Sequence, residues 1–150
     1  MVAILAFGLL AMVACLAFQA LTSVLALHYL ARAAKRPLGP RPRRAIFLQF
    51  AMLMIVLMLG NIGQVAFWAL FYRVLGAFED LEEALYFSGV TFTSLGYGDV
   101  VLHGKVRLLA PLQAANGLMM FGITTALFIA AVERFIATWT TKHRTRPHNE

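Results

Sequence analysis

Three long apolar stretches and one short one divide this chain. Met1 to Ala31, Ala45 to Tyr72 and Leu108 to Val132 contain no Asp, Glu, Lys or Arg. Each exceeds the roughly 20 residues that an α-helix needs to cross about 30 Å of hydrocarbon, so three transmembrane helices are predicted. The fourth uncharged run, Ala84 to Gly98, has only 15 residues. A run of that length is too short to span as a helix and is read as a re-entrant segment. Non-helical backbone at membrane depth persists only where it is buried in protein or lines a water-filled path. The pattern predicts an all-α membrane fold of three transmembrane helices, a re-entrant helix over about Leu81 to Phe92, and an irregular loop after it.

Composition agrees with the pattern. Of 150 residues, 61% are hydrophobic and 13% charged, with a mean hydropathy of +0.75, a balance foreign to a soluble domain. A cleaved signal peptide is not expected at the start, because no basic segment precedes a first apolar run that is also too long. Cys15 is the single cysteine, so no intrachain disulfide forms and a small packing residue is expected.

Charge orders the segments. Arg32, Lys35, Arg36, Arg41, Arg43 and Arg44 lie between the first two spans with no acid among them, and Arg134, Lys142, Arg144 and Arg146 follow the third. Short loops rich in Lys and Arg stay in the cytoplasm. Glu79, Asp80, Glu82, Glu83 and Asp99 cluster instead around the short run. The expected topology in a cell membrane has the N-terminus outside, the linker inside, the loop entering from outside and the C-terminus inside. This asymmetry accounts for the net charge of +6 without nucleic acid as a partner. Anionic lipid headgroups are a second role for the linker, whose three prolines and one glycine in Lys35 to Arg44 break any helix.

Polar residues inside the spans have local explanations. Gln19, Thr22 and Ser23 are expected to bond a neighbouring helix or their own backbone, and Gly60, Asn61, Gly63 and Gln64 to mark a helix crossing. Asn116 fits either a cavity lining or a bond to a neighbouring helix. Trp68 and Tyr72 read as an aromatic end at the outer interface. Asp80 is a candidate N-cap with Glu83 as its capping-box partner, and four acids there would also concentrate cations. No span repeats Arg or Lys every third residue, so no voltage-sensing helix is expected.

The short run ends in Thr93-Ser94-Leu95-Gly96-Tyr97-Gly98-Asp99. Two glycines flanking a bulky residue let successive carbonyls point the same way, since Gly tolerates φ > 0. Carbonyls aimed at one axis can replace the hydration shell of a cation. These seven residues resemble the potassium-channel selectivity filter, in which four T-x-G-Y-G loops line the pore with carbonyl oxygens. The resemblance covers about Ala45 to Lys142, the two-span-plus-pore-loop unit, and leaves residues 1–31 as an additional N-terminal helix, 32–44 as a basic linker and 143–150 as a cytoplasmic tail.

The resemblance implies site residues and partners. Ion-binding oxygens would come from Thr93, Ser94, Leu95, Gly96, Tyr97 and Gly98, with K+ held at Ser94, Leu95, Gly96 and Tyr97 and no other cofactor. Tyr86, Phe87 and Asp99 would support the filter, with the Tyr86 hydroxyl bonded to Asp99 and the Tyr97 ring packed by Tyr86, Phe87 and Phe92. Gly117 falls at the hinge position of the inner helix, Gly122 reads as a close-packing glycine, and Phe121 and Thr125 would line the cavity below the filter. Ser94 stands where most members carry Thr, Leu95 where they carry Val or Ile, and Val90 where some carry a Glu that pairs with the Asp99 equivalent. One loop cannot enclose a pore, so a homotetramer is implied. The implied function is passive K+ permeation. The alternatives are a weakly selective monovalent-cation channel and a non-conducting channel-like subunit. No catalytic triad, metal-ligand spacing or cofactor motif points to an enzyme, and the short segment after the last span leaves no room for a ligand-sensing domain.

Overall fold

Long uncharged sequences satisfy their own backbone as helices, and the structure, a computed structural model, follows that rule over the residues it describes, 2–35 and 43–144. Helix α1 covers Val2–Lys35, α2 Arg43–Val74, α3 Leu81–Phe92 and α4 Leu109–Arg144, with a 3-10 segment Gly104–Leu108 leading into α4. Among the described residues there is no strand. Val2–His28, Phe47–Val74 and Gly104–Glu133 are long and apolar enough to cross a membrane. The chain is an all-α, multi-pass membrane protein. Residues 36–42 of the linker and 145–150 of the tail lie outside the described residues. Helix α4 continues to Arg144, into the first residues of the tail, and no helix breaker occurs before Pro147.

Small residues on one stripe of α1 decide how it docks. Ala11 and Cys15 pack with Trp68, Ala69 and Tyr72 of α2 and with Leu109 at the start of α4. Farther along, Ala26 meets Leu53 and Leu57 of α2 and Ala131 of α4. Helix α1 therefore runs antiparallel to α2 and parallel to α4, covering the seam between them. Its N-terminal end lies level with the start of α4, where Gly8 faces Leu109 and Leu112 so closely that a Cβ would meet the Leu109 side chain at 2.5 Å.

That placement overturns the interfacial reading of Trp68 and Tyr72. Both are fully buried, because α1 covers them and the rings of Phe78 and Phe87 close the other side, with centroids 6.2 and 5.3 Å from Tyr72. The polar residues of the first span behave as expected: Thr22 and Ser23 donate to the Gln19 carbonyl at 2.9 and 2.6 Å, and the Gln19 side chain bonds α2. Asn116 is buried and donates to Gln64, which excludes the cavity-lining alternative for this chain.

Candidate ion-conducting site

Helix α3 is too short to stand alone in water, and its orientation comes from its neighbours. It begins at Leu81 with Asp80 at the N-cap in extended backbone, yet Asp80 makes no side-chain capping bond. The capping box with Glu83 is thus not formed, and the Asp80 carbonyl instead accepts from the Ala84 amide at 3.2 Å. The acids Glu82 and Glu83 remain exposed in the first turn, where they complement the positive end of the helix dipole.

The buried face of α3 is held by a polar brace that sequence reasoning missed. Ser88 donates to the Val65 carbonyl of α2 at 2.7 Å. Gln113 of α4 donates through Nε2 to the Ser88 carbonyl and hydroxyl at 3.1 and 2.6 Å. The Tyr72 hydroxyl of α2 donates to Gln113 Oε1 at 2.7 Å. Both amide ends of Gln113 are thereby engaged in an interior where an unpaired polar group is costly. A glutamine inside an apolar span was the available signal.

At its C-terminus α3 turns sharply into the loop. The Thr93 hydroxyl donates to the Gly89 and Val90 carbonyls at 2.8 and 3.2 Å. The amide of Ser94 reaches Thr91 O at 3.0 Å, and those of Leu95 and Gly96 reach Val90 O at 3.0 and 3.4 Å. Left-handed backbone recurs at every second residue: Ser94 at φ 60°, Gly96 at 55° and Gly98 at 79°. Such alternation with residues outside the positive-φ region brings successive peptide groups round to one side. Among the described residues no backbone amide donates to a carbonyl of 93–98. The loop therefore spends its first amides on the end of α3 and keeps a row of carbonyls free. Glycine makes two of the three left-handed positions inexpensive. Ser94 carries a Cβ there at a cost on the order of 1 kcal/mol, and nothing in its residue type announced it.

The aromatic support is distributed differently from expectation. The Tyr86 hydroxyl donates to Asp99 Oδ2 at 2.5 Å, joining the middle of α3 to the end of the loop. Phe87 turns instead to Tyr72 and Phe78, at 5.3 and 5.2 Å, and Phe92 lies edge-on to Phe121 of α4 at 5.6 Å. Tyr97 stays 67% exposed. The rings of Phe87 and Phe92 point into the α2–α3–α4 core because that is the side on which one chain can bury them, so they do not pack Tyr97 within the chain. The bond from Tyr86 holds the Asp99 carboxyl below the ordinary carboxylate range, and the same bond raises the Tyr86 phenol.

Beneath the loop, α4 passes within contact of the last turn of α3. A Cβ on Gly117 would overlap the Phe92 carbonyl oxygen and come within 2.8 Å of the carbonyl carbon. Gly117 packs closely against backbone, and α4 is continuous through it. At Gly122 nothing within the chain lies within 4 Å of the Cβ position. Phe121, 40% exposed, and Thr125, also exposed, share the uncovered face of α4.

A family profile described as "Ion channel" matches residues 54–134, more than half of the 150-residue chain, and the match takes in α3, the loop and the transmembrane part of α4. The chain belongs to this ion-channel family, of the two-transmembrane, potassium-channel-like type. No match is found among curated proteins or among solved structures. Helix α1 lies outside the family match.

Two outcomes follow from this geometry. Gly117→Ala should abolish conduction or assembly, because backbone cannot yield to a Cβ as a flexible side chain can, whereas Gly122→Ala should leave both within about twofold of wild type. Ion flux and sizing of the purified variants check the contrast. The second concerns pH. The Asp99 contribution is present above the ordinary carboxylate value and lost as pH falls through the depressed one. That of Tyr86 is present below the ordinary phenol value and lost as pH rises through the raised one. Any difference in open lifetime between wild type and Tyr86→Phe should therefore be flat between about pH 5 and about pH 9. Single-channel records that place a midpoint inside that window would contradict the bond as described.

Proposed function

We propose that the chain forms a homotetrameric, potassium-selective pore in which the loop 93–98 is the filter. The observation that carries this reading is the period-two left-handed backbone at Ser94, Gly96 and Gly98, with the carbonyls of the loop left free. Bare carbonyls at membrane depth need a partner, and a cation stripped of water supplies one. Carbonyls of Thr93, Ser94, Leu95, Gly96 and Tyr97, with the Ser94 hydroxyl at the inner end, would form stacked rings of four around a common axis. Each K+ between two rings would trade its hydration shell for about eight oxygens. The negative end of the α3 dipole, aimed at the loop, favours a cation in the cavity below, which Phe121 and Thr125 would line. The exposed faces of Tyr97 and α4 are the surfaces that neighbouring subunits would cover, and the exposed acids from Glu79 to Glu83 would gather cations at the mouth.

Reconstitution into liposomes with K+ and Na+ gradients tests the reading. Reversal potentials should favour K+ by at least about tenfold, which corresponds to only about 1.4 kcal/mol. Near-equal permeability would promote the weakly selective alternative, and absence of flux the non-conducting one. Ser94→Ala should lower K+ conductance without abolishing it, since the carbonyl rings above persist. Gly96→Ala should be far more damaging, because its φ of 55° penalises a Cβ.

The same reading places the protein in the plasma or inner membrane with the α1 N-terminus and the filter mouth outside. The parallel course of α1 and α4 supports putting those two features on one side of the bilayer, and the basic residues of the linker support putting the other side in the cytoplasm. A membrane-impermeant reagent added to intact cells should label cysteines introduced near Met1 and spare those introduced at 36–42. The reverse pattern would invert the topology.

A further inference from the structure

Helix α1 stands outside the matched channel unit, yet it is stitched into the unit at mid-membrane by a buried run of amides. Asn116 Nδ2 of α4 donates to Gln64 Oε1 of α2 at 3.4 Å, and Gln64 Nε2 donates to Gln19 Oε1 of α1 at 2.9 Å. All three side chains are at most 2% exposed. At Gly60 even a Cβ would lie at an ordinary contact distance, 3.7 Å, from Gln19 Oε1, so the approach of α1 does not depend on that glycine. Lipid cannot replace these bonds, so amides at this depth act as polar glue between helices. The run ends at the residue next to Gly117, whose backbone rests on the Phe92 carbonyl at the foot of the loop.

We propose that α1 sets the opening equilibrium of the pore through the relay Gln19–Gln64–Asn116. The two bonds are unequal. The short one ties α1 to α2, and the long one ties Gln64 to α4 just above the contact with Phe92. A shift of α4 that frees the Phe92 carbonyl also pulls Asn116 from Gln64. Gln19, by holding Gln64 Nε2, keeps Gln64 Oε1 turned toward Asn116, so its loss weakens the bond that such a shift breaks. The relay thus stabilises the arrangement of α4 described here over any arrangement in which α4 has moved. Gln19 and Asn116 have no bond to each other and share Gln64 as a partner, while the apolar contacts of α1 with Leu109 and Ala131 of α4 do not involve Gln19. This coupling rests on the pore reading above, though not on which cation permeates.

The test is single-channel recording of the full-length protein in planar bilayers, with K+ and then Na+ as the charge carrier. Hydrogen bonds between membrane helices contribute little individually, so Gln19→Leu should change the open-to-closed ratio by about three- to tenfold while leaving unitary conductance and the K+/Na+ permeability ratio unaltered. Combined with Asn116→Ala, its effect should be smaller than the product of the two single effects. If Gln19→Leu does not assemble, Gln19→Met, which keeps the length and drops the amide, serves in its place. Ser23→Ala is the control. It removes a bond inside α1 that touches no other helix and should leave the ratio unchanged.

A ratio within about 1.5-fold of wild type for the Gln19 variant, a purely multiplicative double variant, or an equal effect of Ser23→Ala would each overturn the relay while the pore reading stands. A wild-type protein that passes neither ion removes the pore reading itself, and the relay with it.

Discussion

Backbone carbonyls and amides cannot be left bare inside a bilayer, and the candidate pore is built around one place where the chain stops being helical at that depth. The loop after α3 settles its amides and leaves its carbonyls open. Thr93, Ser94, Leu95 and Gly96 turn their amides back onto carbonyls of the last turn of α3, so Val90 O alone accepts from two of them. What remains is a row of oxygens on strained, alternating backbone. Ser94 is the non-glycine left-handed position in that row, and the contacts that hold α3 keep it there.

The immobility of α3 comes from three sides. Gln113 and Ser88 pin its middle to α4 and α2, the Tyr72–Phe78–Phe87 rings fill the space toward its start, and Gly117 lets α4 lie directly on its final carbonyl. The outer end of the loop is tied separately, through Asp99 to Tyr86. Each restraint uses a different physical means: a satisfied amide, aromatic packing, a missing Cβ and a charge-assisted hydrogen bond. Loss of any one leaves the others in place. The Gly117 contact differs in one respect, because it joins the loop to the long helix whose movement would open or close a passage.

Helix α1 gives the unit a feature that two transmembrane helices and a re-entrant loop do not have. It buries Trp68 and Tyr72 beneath small residues and contributes the one amide that completes the Gln64 bonds. A helix held only by apolar contact could slide in lipid, since hydrocarbon is as good a neighbour as leucine. The Gln19 amide sets its register.

Much of this was written in the chain. The length of the uncharged runs, the distribution of Arg and Lys, and the bounds Leu81 and Phe92 of the re-entrant helix follow from local composition, because a bilayer allows so few backbone solutions. The seven residues from Thr93 to Asp99 marked the loop, and Tyr86 as the partner of Asp99 was legible by resemblance. Tertiary structure alone decided the rest. Which ring meets which depends on helix rotation, so Phe87 and Phe92 turned from Tyr97 to Phe78 and Phe121. Whether a glycine packs within the chain depends on what faces it, so Gly117 lies against the Phe92 carbonyl while Gly122 meets nothing within 4 Å. Whether Asp80 caps depends on a side-chain rotamer, and it does not. Gln19 and Gln64 were legible as residues that bond across helices, but the left-handed Ser94 and the particular partners of Gln113 and Gln64 were not. Such features depend on groups far apart in sequence, and local composition carries no record of which distant residue will stand opposite.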